Sequence, residues 1–368
     1  MGPFRLACLT LALLTLGACD APPPIRLGFI GGISGANADL GSSGRNGVQL
    51  AIEQANAQGG VRGRSIELLI KDDQLDPEQG QRATQQLIDA QVAAILGPMT
   101  STMAVASAPL ATRAGVVMMA GTVTTQALAG VDDQFFRTIG STAQHAAIMA
   151  NYLYDKRAIR LVNLAVDLRN QAYSKSWQDD FSRHFQSLGG RIGHVQSYTS
   201  SAQTDFVSLA NSARSGQPHA LVLVTSALDA ALLCNQLRQQ QPDLLLATSE
   251  WAGTGELIEL GGRAVEGVVV PNYLDQHSQT PAFMAFRTAY RQRFQHDPGY
   301  PALVAYNATQ VVLQALTAQQ PGESLKQTLL RQRDYPGLLG PIHFDDFGDT
   351  RSHTYLTLIR NGEFINAH

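Results

Sequence analysis

The chain has 368 residues, long for one ordinary core and comfortable for two domains. Hydrophobic residues make up 44% and charged residues 15%, the composition of a packed soluble protein rather than a disordered one. A net charge of -3, with no run of Lys and Arg, argues against a nucleic-acid partner, and three cysteines cannot build a disulfide framework.

The first element is a targeting segment. Arg5 gives a positive start, Leu6 to Leu16 form an apolar stretch too short to span a bilayer, and Gly17 and Ala18 are small. Residues 1–18 therefore read as a signal peptide. The tetrapeptide Leu16-Gly17-Ala18-Cys19 resembles a bacterial lipobox, in which the Cys is acylated and begins the mature chain. The plainer alternative is a secretory signal that happens to end near a Cys. Residues 19–24, with Ala21-Pro22-Pro23-Pro24, suit an extended tether between an anchor and a folded body, and Asp20 resembles an inner-membrane retention signal. With Cys8 removed and Cys19 lipidated, Cys234 has no partner; its apolar helical surroundings (Leu232, Leu233, Leu237) predict a buried, inert thiol.

Strand-like and helix-like segments then alternate. Ile25 to Gly31 is an apolar strand, followed by a turn rich in Gly and Ser and a helix predicted from Asn46 to Ala57, which Gly59-Gly60 stops. Ile66 to Ile70 is the second strand. Asp76-Pro77-Glu78-Gln79 has the N-cap acid, the first-turn Pro and the Gln of a helix start. Strands follow at Ala93 to Leu96, Val116 to Met119 and Phe135 to Ile139, then a helix near Ala143 to Tyr154. A second series has strands at Arg160 to Val166, Gly193 to Tyr198, Ala220 to Val224, Leu244 to Ala247 and Gly267 to Val270. Helical patterns separate them at Tyr173 to Leu188, Asp205 to Ala213 and Leu228 to Gln239. This alternation indicates parallel sheets with right-handed crossovers, and two series indicate two similar lobes. Helices at Pro281 to Phe294 and Ala302 to Ala318 come next. The β-rich tail, Tyr355 to Ile359 with Phe364-Ile365, is too small to stand alone, so the chain is expected to cross between lobes more than once.

These landmarks resemble the branched-chain-amino-acid-binding type of periplasmic binding protein, the receptor of an ABC importer. The resemblance runs over nearly the whole mature chain. It rests on the Ser34-Gly35 turn, Asn46-Gly47, Gly59-Gly60-Val61-Arg62-Gly63, Asp72-Asp73 with Asp76-Pro77, and Gly97-Pro98 followed by Thr100-Ser101-Thr102. Phe136-Arg137-Thr138, Tyr300 with Ala305-Tyr306, and Phe344-Asp345 with Gly348-Asp349 complete it. It implies an α/β fold of two Rossmann-like lobes with parallel central sheets, joined by a multi-strand hinge. The lobes would be residues 25–142 with 273–338, and 143–272 with 339–368. It also implies capture of an amino acid, branched-chain or a similar small amphipathic solute, by hinge closure. The implied partners are an ABC permease in the inner membrane and the membrane itself through Cys19, on the periplasmic face; the implied state is monomeric. A lipoprotein of the same fold that acts as a sensor or as a regulator, such as a cell-wall synthase activator, is the alternative.

Five residues are candidates for ligand contact. Ser101 opens a helix, where unpaired N–H groups and the helix dipole favour an anion; hydroxyls there also serve as plain caps. The resemblance places Ser101 where the family binds the ligand carboxylate. Thr122 and Thr124 follow a strand at its carboxyl end, the edge where open parallel sheets bind ligands. Plain turn residues are the alternative; the resemblance implies contact through the Thr124 side chain and the Thr122 backbone. Glu250 closes a second-lobe strand and reads either as a solvated surface acid or as the partner of a buried ammonium group. The resemblance favours the ammonium, and it matches Tyr173 to a binding tyrosine that could equally be a packing residue. One departure is Thr225-Ser226-Ala227, small residues where amino-acid binders of this type carry an aromatic. Leu40 and Trp251 are candidates to fill that space.

No catalytic constellation is found. The nine histidines are scattered, with no His-Glu-x-x-His pattern, P-loop or dinucleotide fingerprint, so neither enzyme activity, a metal nor a cofactor is expected. Asp72 and Asp73 are adjacent and would point to opposite faces, which suits a structural role.

Overall fold

Alternating apolar strands and amphipathic helices sort into two sheets in the computed structural model, which describes residues 22–35 and 37–367. The signal segment and Cys19 lie outside the described residues. The first sheet takes β1 (Ile25–Gly31), β2 (Ile66–Asp72), β3 (Ala94–Leu96), β4 (Val117–Ala120) and β5 (Phe135–Arg137). Its helices are α1 (Asp39–Ala57), α2 (Pro77–Asp89) and α3 (Ser101–Ala114). The order is β2-β1-β3-β4-β5, all parallel.

After α4 (Thr142–Asn151) the chain builds β6 (Leu161–Asp167), α5 (Gln171–Ser187), β7 (Arg191–Tyr198), α6 (Phe206–Ala213) and β8 (Ala220–Val224). It continues through α7 (Ala227–Gln240), β9 (Leu245–Thr248), α8 (Gly255–Gly261) and β10 (Val269–Asn272). Then α9 (Pro281–Phe294), α10 (Tyr300–Ala318) and α11 (Leu325–Gln332) return to the first lobe's core, followed by the small antiparallel pair β11 (Asp334–Tyr335) and β12 (Ile342–His343). Last come β13 (Tyr355–Arg360) and β14 (Glu363–Asn366), which add antiparallel to β10 and to each other and so finish the second sheet, as the tail's size required. That sheet reads β14-β13-β10-β9-β8-β6-β7. The chain thus passes between sheets after β5, after β10 and before β13.

In both sheets the strand order reverses beside the opening strand, between β1 and β3 and between β6 and β8. The loops leaving the carboxyl ends of those strands flank the crevice where open α/β sheets take ligands. The fold therefore puts the Ser101 and Thr124 loops of one lobe and the Tyr173 and Glu250 segments of the other beyond the carboxyl ends of their sheets' strands.

The main departure from the sequence reading is the start of α1. The Gly- and Ser-rich stretch expected as a turn is helical from Asp39, well ahead of Asn46. Its glycines provide closeness rather than bending. A Cβ at Gly41 would overlap the Gly32 carbonyl, one at Gly44 the Met99 side chain, and one at Gly47 the Ala302 carbonyl on α10. A helix normally gains from Gly→Ala, by about 1 kcal/mol. Gly47→Ala is expected to do the reverse and cost about 1–3 kcal/mol, because α1 and α10 cannot separate without opening the first core. A urea midpoint at or above wild type would contradict that account.

Other local expectations hold. The Asp76 carboxylate caps α2 through the Gln79 N–H at 2.8 Å, with Pro77 in the first turn. Gly59 and Gly60 take positive φ just beyond α1. Cys234 is fully buried on α7, and burial pushes its thiol up to about 12, so it is inert as read. Asp72 accepts from the N–H groups of Ile33 and Gln74 at 3.0 Å each, and Asp73 accepts from Leu75 N–H at 2.9 Å. The pair braces the loop after β1, which is the structural use expected of it.

Candidate functional site

Ser101 is the first residue of α3 and is buried; its Oγ accepts from the Thr124 N–H at 3.4 Å. Thr100, the N-cap, makes no side-chain cap bond, and the Thr102 hydroxyl turns away to accept from Ala172 N–H at 3.1 Å. Simple capping therefore does not account for this run of hydroxyls. Thr122 uses its hydroxyl on the Met99 carbonyl at 2.6 Å, bracing the loop and leaving its backbone as the available contact. Thr124 is buried with no hydrogen-bond partner for Oγ1, while its carbonyl accepts from Thr142 N–H at 2.8 Å.

In the second lobe, Tyr173 lies in the first turn of α5 and packs edge-on against Trp251, ring centroids 5.8 Å apart. Burial, then the nearby Glu250 charge, pushes its hydroxyl well above the usual tyrosine range. That hydroxyl lies beside Ser249 and Glu250 but meets neither in good hydrogen-bond geometry. Glu250 is 3% exposed in the single helical turn after β9, so it is not a solvated surface acid. Its Oε2 accepts from Trp177 Nε1 at 3.0 Å, and Oε1 lies 3.3 Å from His145 Nδ1. Tyr273 and Tyr300 complete an aromatic wall, their rings 5.5 Å apart, and both hydroxyls are pushed well above the ordinary value by burial and then by Glu250.

The structure thus joins Ser101 to Thr124 and Tyr173 to Glu250. What links the two pairs is α4 together with bonds across the lobes. Thr142 meets Thr124, and His145 one turn later meets Glu250. Thr102 N–H donates to Asn170 Oδ1 at 3.0 Å just before α5, and Gln126 N–H donates to Ser176 Oγ at 3.1 Å. Sequence reasoning missed Trp177, His145, Tyr273 and Asn170. Trp177 was within reach, since it sits four residues after Tyr173 on the same helix face. A lone His in an apolar helix carries no such signal.

The small residues after β8 have structural employment. Ser226 Oγ accepts from Asp229 N–H and from Arg169, and Thr225 meets the Tyr198 hydroxyl at 2.8 Å. Leu40 and Trp251, with Met99, Asn170 and Ser226, line a small cavity between the lobes. Space left by the missing aromatic is thus bordered by Trp251 from the next loop.

At the rim, Thr254 donates to Asp39 Oδ2 at 2.9 Å, a contact from the second lobe to the start of α1. Burial, then the Asp39 charge, pushes Glu256 up to about 7. A carboxyl raised in the folded state favours folding below its unfolded value near 4.5, and that contribution is lost as pH climbs through about 7. Glu256 is half-buried and solvent screens it, so the effect is modest. Glu256→Gln is expected to raise the melting temperature by about 1–3 °C above pH 7 and to do little near pH 4.5. An equal shift at both pH values would remove the carboxyl crowding as its cause.

Among the described residues no cluster of His, Cys, Asp and Glu could hold a metal, and no helix is long and apolar enough to cross a membrane. The periplasmic binding protein family model matches residues 24–362. A Leu/Ile/Val-binding protein of Rhizobium johnstonii is 24% identical over 355 residues, covering 94% of this chain and 93% of that protein. The crystal structure of a branched-chain amino acid transporter substrate-binding protein from Streptococcus pneumoniae, in complex with isoleucine, superposes with a TM-score of 0.85 at 24% identity, covering 93% of this chain and 97% of that one. A solute-binding protein of an ABC transporter from Rhodopseudomonas palustris, in complex with 3,4-dihydroxybenzoic acid, superposes with a TM-score of 0.83 at 23% identity, covering 93% and 95%. These relatives are binding proteins, two of them of transporters, and none is an enzyme, and the fold is the two-lobed type 1 architecture read from the sequence. Its two reversed-order sheets, its enclosed polar site and the match along residues 24–362 agree: the chain belongs to the periplasmic binding protein family, as a solute-binding member without catalytic function.

Proposed function

We propose that this protein is the receptor of an ABC importer and that it captures a small amino acid, branched-chain or of similar size, between its lobes. One observation carries the reading. Thr124 Oγ1 in the first lobe, and the Tyr173 hydroxyl and Glu250 Oε1 in the second, are buried polar atoms without hydrogen-bond partners. Leaving such an atom unpaired costs about 1–3 kcal/mol, so a group of them belongs where a ligand supplies the partners. Hydroxyls beside a helix start suit a carboxylate; a buried carboxylate suits an ammonium. An α-amino acid offers both at one carbon. The names of the Rhizobium and Streptococcus relatives support the same class.

In this reading the first lobe takes the carboxylate through Ser101 and Thr124 and the Thr122 backbone, and the second closes over the amine with Glu250 and Tyr173. Ligand shifts an open–closed equilibrium in proportion to its preference for the closed form. A lipidated Cys19 would hold the receptor at the periplasmic face beside its permease, raising the local concentration.

A thermal-shift screen of the purified protein against amino acids and aromatic acids tests the ligand class. A solute at 100 times its dissociation constant adds about 2.7 kcal/mol, a rise of several degrees. A rise with L-leucine, L-isoleucine or L-valine supports the proposal. A rise with hydroxybenzoates alone moves the protein to the class bound by the Rhodopseudomonas neighbour and overturns the amino-acid reading.

A further inference from the structure

The small cavity between the lobes adjoins the proposed amino-acid site at three points. Thr100 precedes Ser101, Asn170 is the N-cap of the helix that carries Tyr173, and Trp251 follows Glu250 and packs on the Tyr173 ring. An α-amino acid held by those residues has this space open to its side chain. Leu40, Met103 and Trp251 give the cavity an apolar part, as an aliphatic side chain would want. The rest of its lining is polar and underused. Thr100 is 6% exposed, and its hydroxyl makes no hydrogen bond among the described residues. Asn170 is equally buried; its Oδ1 accepts from Thr102 N–H at 3.0 Å, which fixes the orientation of the amide and leaves Nδ2 without a partner. From the first lobe, Asn37 Oδ1 is buried and unpaired as well.

We infer that this cavity selects a neutral polar side chain, a hydroxyl or a carboxamide, over an aliphatic side chain of the same shape. The inference rests on the amino-acid reading above and narrows the ligand within it. The cavity offers both senses of hydrogen bond: Asn170 Nδ2 only donates, Asn37 Oδ1 only accepts, and the Thr100 hydroxyl does either. A hydroxyl and a carboxamide also donate and accept, so they answer that mixture. A carboxylate only accepts and an ammonium only donates. An aliphatic side chain would shut out water and leave all three groups unsatisfied, which is the costly arrangement for a buried polar atom.

The charges around the cavity agree with a neutral side chain. Arg169 belongs to the lining, but its guanidinium is held by the buried carboxylates of Asp167 at 2.6 Å and Asp229 at 3.1 Å. Asp39 adds a further carboxylate on the first-lobe side, so acids outnumber the guanidinium and an acidic ligand side chain would be repelled. Asp39 is itself engaged by Thr254, and the space is too small for the stem of a lysine or an arginine.

Ligand pairs of nearly equal shape separate polarity from size: L-threonine against L-valine, and L-asparagine against L-leucine. Calorimetric titration of the purified protein should show at least about a tenfold preference for the polar member of one pair, because a site built to hydrogen-bond a group rejects the analogue that lacks it. An apolar pocket would reverse the order, since the polar group would give up its water without replacement. Thr100→Val and Asn37→Ala remove side-chain groups that hold no bond in the fold, so both variants should melt as the wild type does. Each should nevertheless lower the polar-over-apolar ratio, by about threefold or more for the loss of one hydrogen bond. A smaller preference than tenfold in both pairs, or a ratio that neither variant lowers, overturns the inference and leaves the amino-acid reading standing. No binding of any of the four at millimolar concentration overturns both. If a variant does not fold, the wild-type ligand pairs decide alone.

Discussion

Replacing Glu250 by glutamine is expected to weaken L-leucine binding by at least about thirtyfold, with the ligand-free melting temperature changing by only a few degrees. The asymmetry comes from what each state asks of the side chain. Glutamine keeps the length of the residue and an amide oxygen that can still accept from Trp177 Nε1, so the aromatic stack of Trp177 on Phe181, 5.2 Å between centroids, keeps its anchor. The charge is what is lost. Truncating or neutralising one partner of a buried charge pair costs about 2–5 kcal/mol, and each 1.4 kcal/mol is a factor of ten. Glu250 is 3% exposed, so water cannot substitute for the missing carboxylate. Equilibrium binding followed by intrinsic fluorescence measures the affinity, with Trp177 and Trp251 close to the site. Wild-type affinity in Glu250→Gln would remove the ammonium contact from the proposal. A large fall in the ligand-free melting temperature would mean that the carboxylate serves the second core more than the ligand.

How far the sequence made this site legible follows from the range of each interaction. Glu250 and Thr124 stood out as candidates because a polar residue just beyond an apolar strand lies at the carboxyl edge of a parallel sheet, a local rule, but that rule left a surface acid and a plain turn residue open and only the family resemblance favoured ligand contact. Strand and helix identities were legible for the same reason: periodicity is a local property, and α9 was read with both its ends as observed. Where the partner is remote, local pattern fails. Gly41 and Gly44 look like turn residues until Gly32 and Met99 are seen against them, and only then does the stretch read as the first turns of α1. His145 is silent for the same reason, since its meaning comes from Glu250 and Tyr273 on distant segments. Ser226 looked like room for a ligand, yet it caps α7 and meets Arg169. A small residue in a sequence does not say whether its space is empty or used.

The same principle gives the largest expected stability loss. Phe136-Arg137-Thr138 and Gly348-Asp349 were separate landmarks in the sequence; in the structure they are partners. Arg137 is 1% exposed, its Nε lies 2.7 Å from Asp349 Oδ1, and its Nη1 donates to the Thr125 carbonyl at 2.9 Å. The Nε contact is poorly aligned for a hydrogen bond, so charge attraction carries it. The backbone repeats the link, Arg137 N–H to the Gly348 carbonyl at 3.1 Å, and Asp349 Oδ2 also accepts from Gly130 N–H at 2.7 Å. Arg137 therefore ties three segments at one point: the loop carrying Thr122 and Thr124, strand β5, and the stretch that leads back to β13. Arg137→Met keeps much of the apolar stem but strands the Asp349 carboxylate and the Thr125 carbonyl. Breaking one side of a buried pair costs about 3–5 kcal/mol. The urea midpoint should fall accordingly. If the charge is the cause, adding Asp349→Asn should restore a substantial part of the loss, because the second change removes the stranded charge. Losses that simply add would assign the effect to packing around the stem instead. Ligand affinity supplies a second readout, since Thr125 adjoins Thr124: Arg137→Met is expected to weaken L-leucine binding even under conditions where the variant is fully folded, and unchanged affinity there would show that the Thr124 loop holds its place without the arginine.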